Sequence, residues 1–289
     1  MNESNSVLTR FFSQNTLNSF FTEQEYSSHL IEVIIRKYSI PTDDNSTNEA
    51  VISEIYKYIG NEYRNEYFYK NTLLNKLLIN VHRINTTTAL TEVPISKSKA
   101  DFIMINGKAV VYEIKTELDT FERLSSQIND YYKAFDHVCV VTSQSKLESL
   151  SIKLEQTPVG IYILTDCNTI KRIKEPSEYK DMLDTECIFK ILNKSEYENV
   201  ILQLAGFLPE TTQAKYYSAC KSIFCKFDID KLYPLFLKEL KKRNRIYKYD
   251  YKSIPEALHF LIYFSKVKKA DTKILYNYLS QKYKGGLES

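Results

Sequence analysis

The chain has 289 residues, 43% hydrophobic and 26% charged, ordinary globular values that exclude disorder along its whole length. It has only 6 glycines and neither GxGxxG nor GxxxxGKS/T, which sets aside the usual dinucleotide enzymes and P-loop NTPases. The net charge of +3 hides a division: residues 1–60 carry −4, residues 61–209 carry −2 and residues 210–289 carry +9.

No run approaches the ~20 apolar residues of a membrane helix, and the first twelve residues lack a signal peptide's apolar core. A cytoplasmic protein with no membrane partner is expected. Cysteines at 139, 167, 187, 220 and 225 are odd in number and include no CxxC, so reduced thiols are expected rather than a disulfide framework or a zinc ribbon.

In chain order, residues 1–48 read as an N-terminal extension ending in a polar linker from Pro41. From Glu49 the pattern is helical. The best early helix is Glu66–Ile79, with Phe68, Leu73, Leu74, Leu77 and Leu78 as its buried stripe. Three short β-favouring runs follow, 89–95, 100–105 and 109–115, the last two joined by the hairpin signal Asn106-Gly107. Asp119 with Glu122 then suggests a capping box. It opens a helix carrying Phe121, Leu124, Ile128, Tyr131, Tyr132 and Phe135. His137–Thr142 and Val159–Leu164 read as strands buried on both faces, with a helix near 146–154 between them. This order predicts an α/β core with a mixed sheet over residues 49–175. Beyond it, 176–289 reads as a basic α-helical domain, with helices near 195–206, 211–225, 229–243, 254–265 and 271–283.

Residues two apart on a strand share a face, so Glu113 and Lys115 project together with Val111. Two charges on a half-buried face need a reason. A two-residue Asn106-Gly107 turn would send Asp101 to the opposite face. A bulged loop with Gly107 left-handed pairs Met104 with Lys108 and Asp101 with Val111, bringing Asp101 to the same side. Two converging carboxylates suit a hard cation, Mg²⁺ or Mn²⁺, and a lysine beside it can hold an attacking water. A cross-strand ion pair at a sheet edge is the structural alternative. Gln127 and Tyr131 sit one turn apart on the next helix, facing the same way.

The ordered set Asp101, Glu113-Ile114-Lys115 and Gln127-x-x-x-Tyr131 resembles the PD-(D/E)XK nuclease superfamily, in particular its RecB-like branch with the QxxxY motif. The resemblance covers about residues 60–165. Residues 63–141 also resemble a bacterial family, assigned to that superfamily, that carries only a locus name. It implies a restriction-endonuclease-like αβββαβ core and a metal-dependent nuclease acting on DNA, with RNA a lesser prospect. Asp101, Glu113 and the Ile114 carbonyl would be metal ligands, and Lys115 would position the nucleophilic water. Gln127 and Tyr131 would orient the site or touch the scissile strand. Relatives often add a first-helix glutamate; Glu66 is the candidate, Glu62 its competitor, and Glu92 a weaker one. Ala100 stands where the motif often has proline. No iron–sulfur cluster is expected, since only Cys220 and Cys225 lie close together.

The densest basic stretch, Lys238–Lys252, holds seven basic residues and three tyrosines. Lys241, Lys242, Arg243, Arg245 and Lys248 are its expected nucleic-acid contacts, against the plain alternative of a solvated helix end. Histidines 29, 82, 137 and 259 form no zinc pattern. The expected function is therefore a metal-dependent deoxyribonuclease, with Glu113→Ala or Lys115→Ala abolishing cleavage and sparing the fold. The alternative is a non-catalytic nucleic-acid-binding or regulatory protein on the same fold, and a protein–protein adaptor is more distant.

Overall fold

The computed structural model describes residues 6–43, 45–79, 86–243, 251–265 and 269–284. Arg245 and Lys248, two of the expected nucleic-acid contacts, lie outside the described residues. The chain divides into two compact units, one of Met1–Val81 with Arg245–Ser289, the other of His82–Asn244.

In the second unit, alternation and β-branched runs make six strands that lie in the sheet in chain order. They are β1 (Thr88–Ile95), β2 (Ser98–Asn106), β3 (Lys108–Lys115), β4 (His137–Ser143), β5 (Gly160–Leu164) and β6 (Ile170–Lys174). The sheet is mixed: β1, β2 and β3 form an antiparallel meander, β3–β4 and β4–β5 are parallel, and β6 turns back on β5. All seven residues of β4 are buried, as its near-continuous apolar run requires between two parallel neighbours. β6 carries Ile170-Lys-Arg-Ile-Lys174 and is largely exposed, an edge strand whose charges hide its signal from an apolar scan.

Two helices carry the crossovers, the one after β3 and the one after β4. The first lies at Leu124–Tyr132, and its spacing of three and four buries Leu124, Ile128 and Tyr131. Each fully buried apolar side chain of this kind contributes about 1.5–3 kcal/mol. The second lies at Leu147–Leu154 and buries Leu150 and Leu154. The first helix starts five residues later than the expected capping box. The Asp119 carboxylate instead accepts from the Thr116 amide and hydroxyl, both at 2.8 Å, and so closes the turn after β3.

Among the described residues, four further helices follow in this unit, Thr185–Ile191, Lys194–Ala205, Gln213–Phe224 and Ile229–Lys241. Their Ile188, Phe189, Val200, Phe224 and Phe236 join one apolar cluster with Val111, Val138, Val140 and Ile161 of the sheet. The expected boundary at 175/176 therefore does not separate them. They cover the sheet, because their apolar faces find their partner there.

The first unit is helical. The segment 1–48, expected as an extension, folds into helices at Ser6–Phe11, Gln14–Thr22 and Gln24–Tyr38. Leu8, Phe11, Phe20, Ile31 and Ile34 are buried, so this is core rather than tail. Helices Asn48–Glu62 and Glu66–Leu73 follow, the latter continuing as a π-helical turn, Leu74–Ile79. Helices His259–Phe264 and Lys269–Ser280 return from the other end of the chain. Asn71 ties the two sequence halves: its amide donates to the Glu256 carbonyl and its oxygen accepts from the Phe260 amide, both at 2.9 Å.

Candidate active site

The β2–β3 hairpin sets the geometry. Gly107 takes a left-handed φ of 77°, a conformation that costs a residue without Cβ nothing. Asn106 pairs directly with Lys108, Met104 with Val110 and Phe102 with Tyr112. The expected bulged loop misplaced this register by two residues. A shift of two preserves the face, so Asp101 still falls on the side of Glu113 and Lys115. The Asp101 carboxylate accepts from the Ile114 amide at 2.8 Å, stitching the two strands at the site.

Glu113 is 1% exposed and Lys115 is 9% exposed. Burial of both charges is tolerable because they meet: Lys115 Nζ lies 2.8 Å from Glu113 Oε1. Gln127 Oε1 accepts a second bond from the same ammonium at 2.9 Å. Tyr131 donates to Glu113 Oε2, and its hydroxyl also lies 2.9 Å from the Lys99 carbonyl. Burial first, then the Glu113 carboxylate, push the Tyr131 phenol far above its ordinary range. It therefore stays protonated and acts as a donor, never as a base. Thr142 on β4 donates to the Lys115 carbonyl at 2.8 Å, a support that only the β3–β4 register reveals.

Five expected residues thus converge: Asp101, Glu113, Lys115, Gln127 and Tyr131. The acidic companions fare differently. Glu66 opens its helix in the first unit, where it pairs with Lys70 at 2.6 Å. Glu62 ends the preceding helix of that unit. Glu92, exposed on β1, has a left-handed φ of 55°. Its carboxylate lies 3.0 Å from Lys99 and within 4.8 Å of the Asp101 carboxylate. Asp101 and Glu113 are hard oxygen donors on adjacent strands and on one face, a donor set that fits Mg²⁺ or Mn²⁺.

Two of the expected nucleic-acid contacts, Lys242 and Arg243, are engaged by acids of their own unit. Arg243 grips Glu196 through Nε at 2.6 Å and Nη2 at 2.5 Å, and donates to the Ile191 carbonyl at 2.8 Å. Lys242 lies 2.5 Å from Glu239, itself 1% exposed. Lys241 is exposed at the helix end, its carbonyl accepting from Thr88 at 2.7 Å. Two of these three cations therefore neutralise buried acids of their own unit.

A meander feeding parallel strands, with acid and lysine at the end of β3 and a glutamine–tyrosine helix over them, defines an α/β protein with a charged site on its central strand. The family model described as Bacteriophage P4 protein cII matches residues 60–261, and the chain belongs to that family. Curated proteins give no match. Among solved structures, the SPO1766 protein of unknown function from Silicibacter pomeroyi is 15% identical. That similarity covers 49% of this chain and 93% of that one at a TM-score of 0.30, too low to speak for fold or function. No helix among the described residues is long and apolar enough to cross a membrane.

Proposed function

We propose that the protein is a metal-dependent nuclease that hydrolyses phosphodiester bonds of DNA in the cytoplasm by in-line attack of water. One observation carries this reading: Glu113 and Lys115 share a buried face beside Asp101, under Gln127 and Tyr131. Asp101, Glu113 and the Ile114 carbonyl would hold Mg²⁺ or Mn²⁺. Such an ion, when bound, supplies positive charge to a phosphoryl oxygen. The chain's own groups do the rest. The Lys115 ammonium orients the attacking water and places a positive charge beside the phosphate it approaches. Gln127 fixes Nζ from the other side, so two acceptors hold the ammonium in place. The protonated Tyr131 holds the Glu113 carboxylate in one orientation, limiting the reorganisation each cycle needs.

A second reading has an observation of its own. Glu113 and Lys115 already satisfy each other, as a pair serving only the core would, which favours a non-catalytic nucleic-acid-binding or regulatory protein. Incubating the purified protein with supercoiled plasmid in Mg²⁺, Mn²⁺ or EDTA separates the two. The nuclease reading expects nicked or shortened DNA in either metal and none in EDTA. Intact plasmid in every lane, with retarded migration, favours the second.

A further inference from the structure

The strand register places one row of residues across the sheet at the level of the candidate lysine. Lys115 pairs with Thr142, Thr142 with Ile163, and Ile163 with Lys171. Residues level with each other in paired strands point to the same face, so Lys171 projects from the Lys115 side. Three strand spacings separate them, about 14 Å. Lys171 is exposed and has no ion-pair partner among the described residues. Its neighbour Arg172, on the other face, is taken by Glu175.

Two more uncommitted cations stand at this same end of the sheet. Arg123 is exposed where the chain coming off β3 enters the helix of Gln127 and Tyr131. Lys97 is exposed at the tip of the β1–β2 hairpin. Continuing the Phe102–Tyr112 pairing brings Lys99 level with Lys115, so Lys97 lies just beyond the row. Neither Arg123 nor Lys97 has a side-chain partner among the described residues. By contrast, Lys99 and Lys133 are held by Glu92 and Asp130, and Lys146 donates to the Asp119 carbonyl.

We propose that Lys97, Arg123 and Lys171 form the phosphate-contacting surface of this protein, along which a nucleic-acid strand crosses the end of the sheet over Lys115. The inference rests on the nuclease reading for its ligand and replaces the basic helix end as the contact surface. A strand carries one phosphate per 3.4 Å of helix axis, so 14 Å corresponds to about four nucleotides. Three contacts, interrupted by the acids Glu117, Glu122 and Asp166, make a surface that grips at points rather than along a continuous stripe. Its salt dependence is therefore shallow, with a log–log slope of about −2 to −3.

The test is fluorescence anisotropy of the full chain with a labelled mixed-sequence single strand and the matching duplex, in EDTA so that nothing is cut, across a salt series. Lys97→Ala/Arg123→Ala/Lys171→Ala is compared with wild type and with Lys215→Ala, an exposed lysine on Gln213–Phe224. The triple variant should lose at least about tenfold in affinity at about 50 mM salt, with the slope reduced by about two to three. Each single variant should reduce it by about one, and Lys215→Ala should match wild type. A triple variant that binds like wild type with an unchanged slope overturns the proposal. So does wild-type binding to heparin with none to either oligonucleotide. The two readings fail separately: metal-dependent cutting with an unaltered KM in the triple variant sinks the surface and keeps the nuclease. Binding that the triple variant loses, without cutting by wild type in any metal, keeps the surface and sinks the nuclease.

Discussion

Glu113 and Lys115 neutralise each other from one strand, two residues apart, whereas Lys242 and Arg243 at a helix end pair with acids 3 and 47 residues earlier in the chain. The first pair sits under a helix whose Gln127 and Tyr131 add further bonds to both charges. In the second set Arg243 ties the ends of helices Lys194–Ala205 and Ile229–Lys241 through Glu196, while Lys242 neutralises Glu239 of its own helix. Both centre on buried acids, yet they serve different ends. A pair whose two members share one strand contributes little to the topology, because the strand holds them together already. A bidentate arginine between helices fixes how those helices pack. Charge density along a sequence therefore says less than where each charge finds its partner.

Four predictions bear on this comparison. The largest effect is catalytic: Glu113→Gln keeps the shape and the Tyr131 contact but removes a carboxylate, and should slow cleavage by at least about a thousandfold, or 4 kcal/mol. Residual rates near wild type in a quenched cleavage time course would separate Glu113 from the chemistry.

Next is stability. Lys115→Ala leaves Glu113 buried without its cation, a loss of about 3–5 kcal/mol. The expectation that alanine at either position spares the fold is therefore replaced. Glu113→Gln/Lys115→Met should recover most of the stability by removing both charges. Urea unfolding of the two singles and the double measures this directly, and additive losses would contradict it.

Smaller is the helix tie: Arg243→Ala should cost about 1.5–3 kcal/mol, the range for hydrogen bonds to charged groups. DNA affinity should fall no further than the loss of folded protein explains. A large affinity loss in a fully folded variant would restore the helix end as a contact surface.

The smallest effect distinguishes the two units by pH. His259, in the helical unit, donates from Nε2 to the Tyr251 and Ile254 carbonyls and meets the Asn75 side chain through Nδ1; burial holds its pKa below the ordinary value. The unfolded chain then binds the proton more readily, so this contribution is present above about pH 6.5 and erodes as pH falls below it. In the sheet unit, burial opposes ionisation of Asp136. Hydrogen bonds from His137 and Tyr233 outweigh it, and the pKa is lowered. Its contribution is present above about pH 4 and is lost only as pH falls further, through the lowered pKa. Hydrogen-exchange protection, corrected for intrinsic rate, should weaken around His259 as pH falls below about 6.5 while still holding around Asp136. Simultaneous loss in both places would contradict the assignment.

Much of the site was legible because strand alternation and helical spacing are short-range. Glu113 with Lys115 and Gln127 with Tyr131 needed only periods of two and of about four. Asp101 needed the hairpin as well, and its face survived a register error because that error was even. What failed depended on partners far along the chain. Phe11 and Phe20 look like a polar tail's stray apolar residues until Ile31, Ile34 and the returning helices bury them. Lys242 and Arg243 look like a free basic run until Glu196, nearly fifty residues earlier, claims the arginine. β6 was missed because an edge strand with Lys171, Arg172 and Lys174 lacks the apolar run that marked its neighbours.

The most direct test of the central claim is a single comparison of wild type and Lys115→Met on supercoiled plasmid in Mg²⁺, with circular dichroism showing that both are folded. Cutting by wild type and none by the folded variant is the predicted result, since methionine keeps the stem and removes only the ammonium. Equal cutting by both proteins would contradict the assignment of Lys115, and with it the site.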